Sequence, residues 1–279
     1  MTGDSARTIN LTTFLFFPFL FPLDYAEIAA CAATMEPISL SEMSAVRLMN
    51  RVDTKFVTTA DWALELLRRV SSLYRVQEVD GVRLSPYRTT YFDTAERTQY
   101  FQHHNGCAHR TKVRVRTYVG GDDLTFLEVK RKDNHGRTKK KRLLREEGSA
   151  QVGWTSAEEY LVSERTGLSL CSMEAVLENR FERVTLVDRG MGERVTVDFG
   201  VRFRSPSGVE ANVGDVVVVE LKRDGRLASS LLPVLRELRI RPTGFSKCCI
   251  GMALTDPGLK QNRFKEKLRW LNKIRTPYD

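Results

Sequence analysis

On residues 110–118, Arg110, Lys112, Arg114 and Arg116 alternate with Thr111, Val113, Val115 and Thr117. On 124–132, Glu128, Lys130 and Lys132 alternate with Leu127 and Val129. Guanidinium and ammonium groups in such rows suit one kind of chemistry, the binding and neutralising of phosphoryl oxygens. Arginine does this as a planar fork and lysine as a point charge. Residues 110–142 hold twelve Lys+Arg against four Asp+Glu, so this segment's +8 accounts for nearly all of the net +9. Like charge at that density on a strand face repels itself unless something anionic and multivalent sits there. A phosphate chain meets that requirement.

The alternation is that of β-strands, whose successive side chains point to opposite faces. Gly120-Gly121-Asp122-Asp123 predicts a hairpin joining the two rows. Charged faces recur at Arg51/Asp53/Lys55 on 51–59, at Arg194/Asp198 on 193–203, and at Glu220/Lys222 at the end of 216–222. Further strands are expected near 74–79, 87–93, 139–144 and 178–187. Helices are expected over 61–70, with Thr59 or Asp61 as cap, over 156–166, with the capping box Thr155/Glu158 and a stop at Gly167, and over 228–239. Residues 98–106 read as a short helix or turn ended by Gly106, 245–254 as strand or helix, and 259–274 as a basic amphipathic helix covering its own domain.

Any half-exposed antiparallel sheet can turn a charged face to water. Here five strands carry largely ionic faces and are interspersed with helices that need apolar surface to cover. Both facts predict an α+β fold: a closed eight-stranded antiparallel β-barrel flanked by helices, apolar positions outward and charges inward. Inward charges are costly when dry and unpaired, and a wet tunnel holding phosphate chains and a metal resolves that cost.

Composition agrees. With 279 residues, 42% hydrophobic and 28% charged, the chain reads as soluble and globular, and a pI near 9.4 favours polyanionic partners. The five cysteines show no metal-ligand spacing and point to a reducing, cytoplasmic setting. His103, His104, His109 and His135 read as surface or turn residues. Residues 14–23 (FLFFPFLFPL) are apolar but too short and proline-broken for a transmembrane segment, and a poor secretory signal. The reading is a start at Met35 or Met43, with residues 1–42 a poorly structured extension and 43–279 a single domain.

From about 45 to 275, the stretches RVDTKFV, YFDT, HRTKVRVRTY, LEVKRK, KKKR, FERVT, VTVDFGVRF, VVVELKRDG and RPTGFSKC occur in an order that resembles the VTC domain. That family is the polyphosphate polymerase branch of the triphosphate tunnel metalloenzymes. The resemblance implies a metal-dependent phosphotransferase, using Mn²⁺ or Mg²⁺, that moves the terminal phosphate of ATP onto polyphosphate. By motif position it implies Lys55, Arg114, Arg116, Lys130, Arg183 and Lys247 as phosphate clamps and Glu220 as metal ligand. Arg51, Arg110, Lys112, Lys132 and Lys222 are read as further cations for the nucleotide and chain, and Asp53, Glu128 and Asp198 as ion-pair partners. One departure stands out. The wider superfamily opens with E-x-E-x-K, and this chain has Arg51-x-Asp53-x-Lys55. Losing that carboxylate argues against the alternative of a tunnel triphosphatase, while Glu220 argues against a non-catalytic polyphosphate binder. Nucleic acid is not expected, since no aromatic platforms interleave with the basic strands.

Overall fold

The computed structural model describes residues 23–43, 51–120, 123–134, 138–145 and 153–275. In chain order the elements are α1 (Leu23–Thr34), β1 (Pro37–Ile38), α2 (Leu40–Met43), β2 (Arg51–Thr59), α3 (Ala60–Val70), β3 (Tyr74–Gln77), β4 (Ser85–Asp93) and α4 (Thr98–His104). Then come β5 (Arg110–Tyr118), β6 (Thr125–Lys132), β7 (Thr138–Arg145), α5 (Ser156–Thr166), β8 (Glu174–Asp188), β9 (Glu193–Arg204), β10 (Glu210–Asn212) and β11 (Val216–Asp224). The chain closes with α6 (Leu231–Glu237), α7 (Lys247–Thr255) and α8 (Lys265–Arg275). Residues 245–254, open between strand and helix in the sequence, are largely helical. The expected hairpin turn includes residues 121 and 122, which lie outside the described residues, as do residues 14–22 and His135.

Eight strands make one path, β2-β11-β9-β8-β4-β5-β6-β7, and every pairing along it is antiparallel. Its ends, β2 and β7, do not pair with each other, so the expected closed barrel is instead an open, curled sheet. The two edges explain why it stays open. Along β2, Thr243 N donates to Lys55 O at 2.7 Å and Phe56 bridges Pro242, so the segment leading into α7 occupies that edge. Strand β7 carries exposed Lys139, Lys140, Lys141 and Arg142, a row of like charge that disfavours edge pairing.

The curl follows from where charges act. Lys130 on β6 and Glu220 on β11 stand five strand positions apart in the path, about 24 Å in a flat sheet. Yet the Glu220 carboxylate and the Lys55 ammonium both act on the Lys130 charge, so the sheet bends to bring them near one another.

Each strand divides as its alternation demands. Phe56, Val184, Leu186, Val195, Val197, Phe199, Val217, Val219 and Leu221 pack outward against α1, α3 and α6. Val113, Leu127 and Val129 pack outward against Leu161 and Val162 of α5. A third cluster joins Tyr87, Tyr91, Leu177, Phe181 and Val218 to Cys249, Ile250 and Met252 of α7, with Phe264 and Leu271 of the C-terminal segment behind it. The C-terminal helix thus covers its own domain, as expected.

Two local expectations need correction. The described part of the proposed N-terminal extension is structured: α1 buries Tyr25, Ile28 and Ala32, and Tyr25 OH donates to Gly214 O at 2.8 Å. Its apolar residues recur at helical spacing and meet α3, a partner that the sequence pattern of 23–34 does not name. Thr59 is the N-cap of α3, but its side chain makes no capping bond; Asp215 Oδ1 accepts from Ala60 N at 3.2 Å instead. The α5 capping box and its Gly167 stop form as read. Among the described residues no helix is long and apolar enough to cross a membrane.

Gly251 lets α7 approach β8 and β9 closely. A Cβ there would collide with the Phe203 ring and lie 2.6 Å from Leu177 Cδ2. Gly251→Ala should therefore cost roughly 1–3 kcal/mol by overpacking, visible as a lowered urea midpoint with unchanged slope.

Candidate functional site

The concave face carries the charged rows, and three carboxylates on it each tie two cations. Glu220 on β11 lies directly opposite Lys55 on β2, and its two oxygens take the Lys55 and Lys222 ammonium groups. Asp198 on β9 lies opposite Arg183 on β8. It accepts from Arg183 Nε at 2.5 Å and Nη2 at 2.8 Å, and also from Lys247 Nζ. Glu128 on β6 lies opposite Arg114 on β5, accepting from Arg114 Nε at 2.7 Å and from Lys140 Nζ at 2.7 Å.

Lys247 is the first residue of α7, and Ser246 caps that helix by accepting from Cys249 N at 3.2 Å. The same Ser246 Oγ accepts from Lys112 Nζ at 2.7 Å, tying β5 to the helix start. Among the described residues Arg116 makes no direct ion pair with a carboxylate, although its charge acts on Glu128. Its Nε donates to Thr89 Oγ1 at 3.1 Å, and its guanidinium lies over the Tyr87 and Phe181 rings at 5.1 and 5.6 Å. Arg183 and Lys247 also lie over Phe181, which stacks flat on Tyr87.

These contacts set the electrostatics. Burial alone pushes the Glu220, Asp198 and Glu128 carboxyls up. The cations beside them outweigh it: Lys222 and Lys55 for Glu220, Arg183 and Lys247 for Asp198, Arg114 and Arg116 for Glu128. All three stay well below the usual carboxylate range. The cations feel the opposite stress. Burial brings Lys222 and Lys247 down to about 8 despite their carboxylates. Arg116 is brought to about 10 by burial and by Arg114 and Arg183. The Arg114 guanidinium, with burial, holds the Lys130 amine well below the usual lysine range. The face is thus short of negative charge and poised to receive it.

The structure therefore brings together Lys55, Lys112, Arg114, Arg116, Lys130, Arg183, Lys222, Lys247 and Glu220. Lys132 and Arg110 pair directly across β6 and β5 at one end of this face, where Arg110 Nη1 donates to Cys107 O at 2.9 Å. The Arg51 side chain lies outside the described residues. Asp198 and Glu128 are ion-pair partners, as expected. Lys140 was missed as a member of the site. Its run of four basic residues was visible, but not which of them turns toward Glu128.

A VTC domain model matches residues 50–255. The chain belongs to the VTC domain family. No curated protein matches this VTC domain chain. Among solved structures, it is similar to a candidate adenylate cyclase from Bacillus halodurans, at 11% identity and TM-score 0.50, over 71% of this chain and 96% of that one. It is also similar to a candidate adenylyl cyclase from Hippeastrum with a dominant triphosphatase activity, at 15% identity and TM-score 0.45, over 73% and 95%. At such identity the first likeness speaks for a shared fold.

The donor set decides what metal this VTC domain can hold. Among the described residues no group of three or more His, Cys, Asp and Glu could cage an ion, and both Glu220 oxygens already face lysines. Mg²⁺-type ions need only one or two carboxylates when substrate phosphates supply the remaining ligands. The site thus fits a cation arriving with its substrate and does not fit a resident one. Among the described residues His103, His104 and His109 belong to no such group, and His104, the last residue of α4, is buried against Tyr100 and Phe264.

Two outcomes follow. Asp198→Asn leaves Arg183 and Lys247 buried without their counter-charge, which should cost about 3–5 kcal/mol in denaturant titrations. A phosphate chain raises the affinity of Lys222 and Lys247 for protons. Near pH 8–9, where both are partly neutral, inorganic tripolyphosphate binding should be accompanied by proton uptake. Calorimetry in buffers of different ionisation enthalpy reads this directly, and zero uptake contradicts it.

Proposed function

We propose that the concave face is the site of a phosphotransferase that moves the terminal phosphate of ATP onto a polyphosphate chain. The observation that carries this is the convergence of cations from β2, β5, β6, β8, β11 and α7 on one face, where their charge exceeds that of the paired carboxylates. Membership of the VTC domain family supports phosphate handling in general. The transfer to polyphosphate is the finer step argued from the residues.

Phosphoryl transfer asks the protein mainly to align donor and acceptor and to neutralise charge. Arg114 and Arg183 are oriented by Glu128 and Asp198 before any substrate arrives, so little reorganisation is needed when phosphate oxygens meet their remaining N–H groups. Lys55, Lys130, Lys222 and Lys247 act as point charges along the chain. Glu220 would add one oxygen to a Mg²⁺ or Mn²⁺ ion carried by the nucleotide, which offsets charge on its phosphates. Terminal polyphosphate oxygens are already ionised and need no general base.

That last point favours transfer over hydrolysis. Activating water calls for a proton acceptor, and Glu128, Asp198 and Glu220 are poor ones because each is tied to two cations and held far below its ordinary range. Hydrolysis of triphosphates is the second reading, and one assay separates the two. Protein incubated with ATP, Mn²⁺ and a short polyphosphate primer should lengthen the primer. Release of free phosphate without elongation would point to hydrolysis, and binding without turnover to a non-catalytic role. Lys55→Ala and Glu220→Gln should each lower turnover about 10²–10³-fold; wild-type rates in either variant would refute these roles.

A further inference from the structure

The charged rows do not run the full length of the concave face. At the end of β5–β7 away from the Lys112–Ser246 contact, the inward positions become aromatic and apolar: Tyr118 on β5, Phe126 on β6 and Leu144 on β7. Tyr118 continues a row of rings that starts deeper in the sheet. Phe181 stacks on Tyr87 at 5.1 Å, Tyr87 meets Tyr118 at 4.9 Å, and Tyr118 meets Phe126 edge-on at 5.8 Å. The row emerges at half-buried Phe126. Beyond it Leu144 is 60% exposed, with Val119 and Leu124 of the adjoining turn also exposed. The Arg142 guanidinium lies 4.5 Å from the Phe126 ring centre.

These apolar side chains border a densely charged surface, and that surface limits what can sit on them. Phe126 lies directly opposite Arg116 across β5 and β6. Lys130 projects from the same face four residues further along, about 13 Å by strand rise. An occupant of this patch is therefore flat and apolar on one side and joined to phosphates on the other. Aromatic rings and arginine planes are the surfaces on which nucleobases stack.

The geometry points to Phe126, Leu144 and Arg142 as the seat of the nucleobase of a nucleoside triphosphate, whose phosphates run past Arg116 toward Lys130. This rests on the reading of the concave face as a phosphate site, and it names the part of the substrate that an inorganic phosphate chain lacks. The base binds here by stacking, and the cations along the face hold the triphosphate.

The test measures ATP and inorganic tripolyphosphate binding in parallel by calorimetry, on the full chain. Phe126→Ala should weaken ATP about 5- to 150-fold, the loss of one base stack, and leave tripolyphosphate within about twofold. Phe126→Trp should restore ATP binding. Leu144→Ala changes an exposed side chain and keeps the fold, so it should show a smaller loss confined to ATP even if Phe126→Ala fails to fold. Equal losses for both ligands, or no loss for either, in the variants that fold would overturn the assignment. An ATP-selective loss in a protein that does not elongate polyphosphate would keep the base seat and remove the transfer reaction, so the two readings fail separately.

Discussion

Gathering many cations on the inside of a bent sheet is the constraint that the remaining features answer. Each inward ammonium or guanidinium loses hydration and feels its neighbours, and the lowered proton affinities of Lys130, Lys222, Lys247 and Arg116 record that stress. The protein relieves it in part with carboxylates that join separate elements. Glu128 links β5 to β7, Asp198 links β8 to α7, and Glu220 links β2 to β11. Such buried ion pairs add little net stability compared with a well-packed apolar core. They keep arginines and lysines in fixed places while leaving the face short of negative charge, which is what a polyanion site needs. Aromatic rings add to this: Arg116 rests over Tyr87 and Phe181, whose electron-rich faces attract the cation.

The same strands that build the charged face also build the core, because the pleat separates the two by one residue. Val195, Val197 and Phe199 lie beneath the helices while Asp198 points the other way. A shift of one residue in register would exchange the two sets, so the packing of α1, α3, α5 and α6 on the outer face also fixes the inner one. Helix α7 is the exception. It packs on the inner side, where β4, β8 and β11 turn Tyr91, Leu177, Phe181 and Val218 toward it, and so brings Lys247 to Asp198.

The sheet does not close, and its free edges are handled differently. The segment through Pro242 and Thr243 lies along β2 and leads directly into α7, so covering that edge and placing Lys247 are one structural event. Edge strand β7 is guarded by charge. That leaves Lys140 free to turn inward to Glu128, and it exposes Arg142 and Leu144 beside Phe126.

Much of this was legible in the chain itself. A period of two set which residues of β2, β5, β6, β9 and β11 share a face, and the Thr155/Glu158 box with Gly167 marked both ends of α5. The motif order pointed to the family. These are local signals, decided by backbone geometry over a few residues. Tertiary structure alone decided which cation meets which carboxylate, that Lys140 joins the site, that α1 is part of the core, and that the sheet stays open. Those outcomes depend on strand order and on contacts such as Lys247 with Asp198 or Tyr25 with Gly214, between residues far apart in sequence. A charged row reads the same whether it faces water or another row, and only the bend of the sheet tells them apart.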